Sequence, residues 1–305
     1  MTYSIFIDGA AGTTGLEIAE RLAGRSEFSL IRLDDAQRKD AAHRRGALNS
    51  ADFVILCLPD AAAVDAVSMI DNDAVRVIDA SSAHRVATGW TYGFAELSAA
   101  QRAEIAASKR VSNPGCYPTG FLALVAPLVA AGIIPADMRL SLNAVSGYSG
   151  GGKELIARFE DDQDIGFRSY GFAMGHKHVP EMQKYSGLSH DPLFAPAVVP
   201  VFRGMLVEVP LNFADPIADA ALETLLAHYA DSKLISVSRG DAGELLLRKS
   251  DAATDQMDLQ IFASADGRQL RLVASLDNLG KGASGACVQN LNIMAGLDEV
   301  AGLRV

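Results

Sequence analysis

Strand and helix patterns alternate over the first half of this 305-residue chain, and that alternation narrows the fold more than any other feature. "YSIFID" is an apolar strand, "TTGLEIAERLAG" a helix ending at Gly24, and "FSLIRL" a second strand. "ADFVILCLP" is a third, apolar almost throughout, as a strand covered on both faces must be. "AAAVDAVSMI" then reads as a helix and "AVRVIDAS" as another buried strand. A series of this kind folds as a parallel sheet with helices on both sides.

After residue 135 the texture changes. "MRLSLNAVSGYSGGG", "VVPVFRGMLVEVPLNF" and "MDLQIFASADGRQLRLVASLDN" alternate with a period of two, and "GR" or "DGR" marks hairpin turns. "DAALETLLAHYADS" is one amphipathic helix, and the last helix, "SGACVQNLNIMAGL", is expected to return to the first domain. The chain is long for a single core, and with 49% hydrophobic and 21% charged residues it is globular. The expected class is α/β: a Rossmann-type parallel-sheet domain over residues 1–115 and 281–305, and a catalytic and oligomerisation α+β domain with a mixed or antiparallel sheet over 116–280. No internal repeat or low-complexity tract interrupts either part.

Several classes are disfavoured. No run of about 18 uncharged apolar residues is present, so no membrane span is expected. The N-terminus enters a strand at once without a basic region, so no signal peptide is expected. The three cysteines, at 57, 116 and 287, have neither paired nor metal-ligand spacing, which points to the reducing cytoplasm. A net charge of −10, with "QRKDAAHRRG" as the one basic block, argues against nucleic acid as a main partner. It leaves an anionic small substrate open.

"DGAAGTTG" sets Gly9, Gly12 and Gly15 between the first strand and its helix. Glycines there permit a tight turn and let backbone amides approach a pyrophosphate, with the helix N-terminus adding positive potential. Thr13 and Thr14 add hydroxyl donors. The alternative is an ordinary strand-to-helix turn. Asp34 and Asp35 suit the ribose of NAD, whereas Arg38 and Lys39 suit the 2′-phosphate of NADP, and the chemistry alone is balanced. The basic pair also reads as an exposed helix start.

"SNPGCYPTG" is the second constraint. Pro114 holds Asn113 extended, Gly115 bends freely, and Pro118 suits the first turn of a helix. Cys116 therefore falls at a helix N-terminus, where the dipole lowers a thiol pKa from about 8.5. Cys57 (strand interior) and Cys287 (helix face) fit inert core positions instead. A thiolate beside a nicotinamide points to one chemistry: attack on an activated acyl group, hydride reduction of the thioester, and collapse to an aldehyde. A proton donor and a cradle for the carbonyl oxygen are then required.

"GHKHVPEMQ" offers His176 and His178, two residues apart on one side of an extended segment, one as acid/base and the other orienting substrate. A metal would need Glu181 as third ligand, and nothing nearby completes a set, so none is expected. His43, His84, His190 and His228 are isolated and read as surface or structural. "SGYSGGGK" runs from Ser146 to Lys153; its amides and lysine suit an anionic substrate group, or it is a flexible turn. "IDASSAHR" ends a strand at the ligand edge of the sheet, placing Ser81 and Ser82 for cofactor or substrate. Arg85 is suited to bidentate anion binding or to a surface ion pair. "DNLGKGASGACVQN" carries Asn278 and Lys281, which reach a nicotinamide or cap the last helix.

Together these stretches, with "GMLVEVPL", closely resemble the N-acetyl-γ-glutamyl-phosphate reductase family in its shorter type, in family order from residue 8 to about 297. The cysteine and C-terminal stretches are specific; the glycine loop is shared with many dehydrogenases. The resemblance implies NADPH-dependent reduction of N-acetyl-γ-glutamyl phosphate to N-acetylglutamate 5-semialdehyde, a step of arginine biosynthesis. It tips the cofactor to NADP, matches Arg38 and Lys39 to the basic segment near the 2′-phosphate, and makes Cys116 the catalytic cysteine, assisted by His176 or His178. The expected partners are a small acyl phosphate and further copies of the chain, as a dimer or tetramer. An aspartate-semialdehyde dehydrogenase shares the chemistry, but "GHKHVPEM" and the short "SGYSGGGK" favour the acetylglutamyl enzyme. A reductase of carrier-protein-linked acyl phosphates would want a basic face that this acidic chain does not offer. A non-catalytic nicotinamide sensor would need only the first glycine loop.

Overall fold

In the computed structural model, which describes residues 2–305, the early apolar runs become parallel strands. The order is β1 (Tyr3–Asp8), α1 (Thr13–Leu22), β2 (Phe28–Ile31), α2 (Ala41–Ser50), β3 (Phe53–Leu56), α3 (Asp60–Ser68), β4 (Arg76–Asp79), β5 (Thr91–Tyr92), α4 (Gln101–Ala107) and β6 (Arg110–Ser112). They form a six-stranded sheet, β2-β1-β3-β4-β6-β5, parallel at every pairing. All four residues of β3 are buried, as its unbroken apolar run demands. The chain moves from β1 outward to β2, then crosses to β3 on the far side of β1. The carboxyl ends of β1 and β3 thus flank the point where strand order reverses, the place where open α/β sheets bind ligands.

Helix α2 is legible in the sequence only as the exposed helix start read at Arg38 and Lys39. It is polar, and its start is set by Asp40, whose carboxylate accepts the amides of Ala42 and His43, each at 2.9 Å. The C-terminal helix, Gly285–Ala295, packs on α1 and β4. Its Val288, Leu291 and Met294 join Ile5, Ile18 and Ile78 in one core. These elements make the first compact unit, which comprises residues through Ala95, Arg102–Pro114 and Ala283–Leu303.

The second unit comprises Glu96–Gln101, Gly115–Gly282 and Arg304–Val305. It contains α5 (Cys116–Ala130), β7 (Ser141–Gly147), α6 (Gly152–Asp161), β8 (Arg168–Ser169), α7 (Val179–Ser186), β9 (Leu193–Val199), β10 (Met205–Asn212), α8 (Ala218–His228), β11 (Ile235–Arg239), β12 (Met257–Ala263) and β13 (Gln269–Leu276). The seven-stranded sheet, β11-β12-β13-β10-β7-β9-β8, is mixed: β7 with β9 and β11 with β12 are parallel, the rest antiparallel. The "DGR" turn joins β12 to β13 with Gly267 at φ +70°. Helix α5 is buried from Tyr117 to Leu128 and lies on β10 and β13. A Cβ at Gly120 would stand 2.8 Å from Val207 Cγ2, so the helix approaches the sheet as closely as a glycine permits. The parallel first sheet and mixed second sheet are the class expected from the sequence. Among the described residues no helix is long and apolar enough to cross a membrane.

Candidate active site

Cys116 is the first residue of α5, behind an extended Gly115 N-cap (φ −73°, ψ 151°) that offers no side chain to cap the helix. The turn is tightened by Thr119, whose amide and hydroxyl both donate to the Gly115 carbonyl, at 3.0 and 2.9 Å. The cysteine is partly exposed. The other two are chemically different. Burial of the sulfur pushes Cys57 up to about 12, with Asp79 and Asp8 adding to it, although part of that residue is accessible. Cys287 is driven well above the usual thiol range by burial first, then by Cys57 and Asp79. Cys116 alone of the three combines access with a helix N-terminus.

The Gly115 amide donates to Glu181 Oε2 at 3.1 Å, and Glu181, in the first turn of α7, is only 1% exposed. His178 caps α7, and its amide donates to His176 Nδ1 at 3.2 Å. That bond makes Nδ1 of His176 an acceptor, so a neutral His176 carries its proton on Nε2. The two imidazoles lie 4.7 Å apart between centroids and face Tyr117 at 6.5 Å (His176) and 5.9 Å (His178). Tyr170 lies 5.8 Å from His176 and donates to the Tyr117 hydroxyl at 3.5 Å, while Tyr117 donates to the Ala197 carbonyl at 3.0 Å. Burial, then Tyr170 and Cys116, hold the Tyr117 phenol well above its usual range. Burial also raises Tyr170. Both phenols are therefore neutral donors near the cysteine. Just ahead of His176, Met174 adopts φ +62°, alone among non-glycine described residues.

The structure thus gathers Cys116, His176 and His178 within the second unit and adds Tyr117, Tyr170 and Glu181, which sequence reasoning did not place there. The tyrosines sit inside quoted motifs or beside them, but nothing local marks a buried phenol. From sequence Glu181 reads only as a third metal ligand, and among the described residues no group of three or more His, Cys, Asp or Glu side chains is placed to hold a metal ion.

Ser146, 2% exposed, is the last residue but one of β7, and its hydroxyl donates to the Gly147 carbonyl at 2.9 Å. Lys153 is exposed in the first turn of α6, after Gly152 at φ +70°. Asn278 is buried, with Nδ2 donating to Ser149 Oγ and Oδ1 accepting the Gly204 amide, both at 2.9 Å. Lys281 is also interior, its Nζ 2.7 Å from Glu96 Oε1. Both side chains, expected at a cofactor, are engaged with other parts of the second unit, because the glycine turn carrying them is itself packed inside.

In the first unit the glycine loop has the stereochemistry of a phosphate cradle. A Cβ at Gly9 (φ +89°) would meet the Cys57 carbonyl oxygen at 2.2 Å, and one at Gly15 would meet that of Gly9 at 2.5 Å. At Gly12 the nearest atom is 3.4 Å away. Gly12 caps α1 without a side chain, leaving the helix opened by Thr13 and Thr14 to attract an anion. Arg38 and Lys39 lie on a short 3₁₀ turn, Arg38 paired with Asp35. Ser82 gives its amide and hydroxyl to Asp60, at 2.9 and 2.6 Å. Ser81 bonds Asp79, which also holds His84 Nδ1 at 2.6 Å, and the His84 ring stacks on Trp90. Arg85 is 7% exposed and donates to the carbonyls of Asn113 (3.0 Å) and Ala80 (3.2 Å).

Residues 4–105 match the family model for the semialdehyde dehydrogenase NAD binding domain, and residues 116–278 that for the semialdehyde dehydrogenase dimerisation domain. An N-acetyl-gamma-glutamyl-phosphate reductase of Rhizobium meliloti (strain 1021) is 49% identical over 96% of this chain and 99% of its own. One from Trichormus variabilis (strain ATCC 29413 / PCC 7937) is 47% identical over 98% of both chains. Among solved structures, aspartate semialdehyde dehydrogenase II from Vibrio cholerae shares the fold with a TM-score of 0.73 at 18% identity, over 97% of this chain and 99% of that one. Aspartate semialdehyde dehydrogenase with NADP from Candida albicans shares it with a TM-score of 0.63 at 15% identity, over 97% and 99%.

Proposed function

Since the chain belongs to the N-acetyl-gamma-glutamyl-phosphate reductase family of the semialdehyde dehydrogenases, we propose that it reduces N-acetyl-γ-glutamyl phosphate to N-acetylglutamate 5-semialdehyde, a step of arginine biosynthesis, through a thioester on Cys116. The carrying observation is the accessible sulfur at the start of α5 with two imidazoles and two neutral phenols grouped around the same turn. The helix terminus stabilises the thiolate, which attacks the acyl carbon and expels phosphate. NADPH, when bound in the first unit, would supply the hydride for the thioester. One of His176 and His178 gives the proton that neutralises the resulting oxyanion, and takes it back as the carbon–sulfur bond breaks and the aldehyde leaves. Where His176 is that residue, the proton moves through Nε2, because Nδ1 accepts the His178 amide.

Gly9 and Gly15 shape the loop for the dinucleotide, and Gly12, Thr13 and Thr14 present the amides and hydroxyls for its pyrophosphate. Arg38 and Lys39 take the 2′-phosphate, and Ser82 stands at the carboxyl edge of β4 where the cofactor passes. Asn278 and Lys281 serve the cofactor end of the reaction through the turn they hold. Lys153, exposed in the first turn of α6 and close in sequence to Ser146, takes an anionic group of the substrate, and Arg85 fixes the carbonyls of Asn113 and Ala80 in the first unit. The enzyme works as a homo-oligomer, supported by the match of its second unit to a dimerisation domain, and in the cytoplasm, supported by three cysteines without disulfide spacing, of which one must stay a thiol. The test supplies N-acetylglutamate semialdehyde, phosphate and NADP⁺ and follows NADPH formation, with aspartate semialdehyde and NAD⁺ in parallel. Cys116→Ser should abolish turnover and leave NADPH binding intact; turnover by that variant, or preference for aspartate semialdehyde, refutes the reading.

A further inference from the structure

Lys281 and Glu96 form an ion pair inside the second unit, with side chains 1% and 2% exposed and Nζ 2.7 Å from Oε1. Taking both charges out of water costs about what their attraction returns, so a buried pair is weak evidence of stabilisation and stronger evidence of a fixed geometry. What this pair fixes is visible on either side of Lys281. A Cβ at Gly280 would stand 1.8 Å from the Thr254 carbonyl oxygen. One at Gly282 would stand 2.9 Å from Cys116 Cβ and 3.1 Å from the Asp277 carbonyl oxygen, to which the Gly282 amide donates at 3.0 Å. The backbone beside Lys281 is therefore the wall against which the cysteine rests, and it has no room to retreat.

The other end of the pair is anchored as well. The Glu96 carbonyl accepts His228 Nε2 at 2.8 Å, at the end of α8, a helix that packs on α5. The neighbouring Tyr229 phenol, pushed well above its usual range by burial and then by Glu96, donates to the Ala123 carbonyl of α5 at 2.8 Å. Both ends of the pair thus reach the helix that begins with Cys116.

We propose that the Lys281–Glu96 pair is a positioning device for the nucleophile: it locks the glycine turn that backs Cys116 and so sets where Sγ stands. The inference rests on the reading of Cys116 as nucleophile. Lys281 acts through Gly282, and its place in the chemistry is geometric.

Lys281→Met alone takes this cation away from the buried Glu96 carboxylate and is expected to impair folding, so the decisive variant is Lys281→Met/Glu96→Leu, which removes both charges. It should melt near the wild-type temperature, yet lose kcat by about tenfold or more, the scale of a small misplacement of a reacting group. Alkylation of Cys116 by iodoacetamide should shift its pH profile in parallel. Glu96→Asp keeps both charges but draws the carboxylate back by one methylene, and should lower kcat by roughly threefold to tenfold. Wild-type kcat and alkylation profile in either variant overturns the proposal. Cys116→Ser in the same assay separates the two ideas: turnover there removes the nucleophile itself, whereas an inactive Cys116→Ser with wild-type rates in the charge variants removes only the positioning role.

Discussion

The three glycines of the first loop look equivalent in sequence, but the structure ranks them. At Gly9 a Cβ would stand 2.2 Å from the Cys57 carbonyl oxygen, about 1 Å inside ordinary carbon–oxygen contact, and φ is +89°. The oxygen belongs to the backbone at the end of β3, so neither side yields by a rotamer change. Overpacking of roughly 1–3 kcal/mol adds to a left-handed backbone cost of about 1–2 kcal/mol, so Gly9→Ala should cost roughly 2–5 kcal/mol. For a chain of this size that lowers the melting temperature by roughly 3–8 °C. Gly15→Ala, with backbone atoms at 2.5 and 2.9 Å, should lie slightly below it, since its φ is ordinary. Gly12→Ala has its nearest neighbour at 3.4 Å and φ −77°, so it should melt within about 2 °C of wild type. Its methyl nevertheless projects where a pyrophosphate must approach the amides, and NADPH affinity should fall by about tenfold or more. Thermal melts and fluorescence titration with NADPH measure the two effects separately. If Gly12→Ala is as unstable as Gly9→Ala, or binds NADPH normally, the assignment of folding to two glycines and binding to the third is wrong.

Two further outcomes follow from the site. Glu181→Ala leaves the buried Gly115 amide without this acceptor and should cost about 1–3 kcal/mol and lower kcat by roughly tenfold, while Glu181→Gln, which can still accept, recovers most of both; melts and steady-state kinetics check this, and equal damage by the two variants refutes the anchoring role. Cys57 holds its proton up to about 12 in the folded chain against 9.0 for an unperturbed thiol, so its contribution to stability is complete below pH 9 and drains away as pH rises towards 12. Urea midpoints measured from pH 8 to 10.5 should fall more steeply for wild type than for Cys57→Ala, and identical slopes count against the buried thiol.

Periodic and local features were legible before any coordinates. The unbroken apolar run of β3, the Gly24 stop after α1 and the "DGR" hairpin follow from burial and backbone preference near one residue. So does the start of α5, because Pro114, Gly115 and Pro118 leave few places for it to begin. Helix α2 was legible only as a helix start, because it lacks an apolar stripe and depends on one capping carboxylate. The site's supporting residues escaped for a different reason. Glu181 meets Gly115 across 66 positions, Tyr170 meets Tyr117 across 53, and Lys281 meets Glu96 across 185, so no window of sequence contains both partners. His84 shows the same limit at short range: it looked isolated, yet Asp79 five residues earlier and the Trp90 ring enclose it.

The Cys116 sulfur opens the one helix of its unit that is sealed from Tyr117 to Leu128 and flush with the sheet at Gly120. Under the proposed mechanism, such a mounting leaves the nucleophile no independent hinge. A change in substrate taste must therefore come from the loops that bring an acyl group to it, since remodelling the mount would disturb the very keel of the unit.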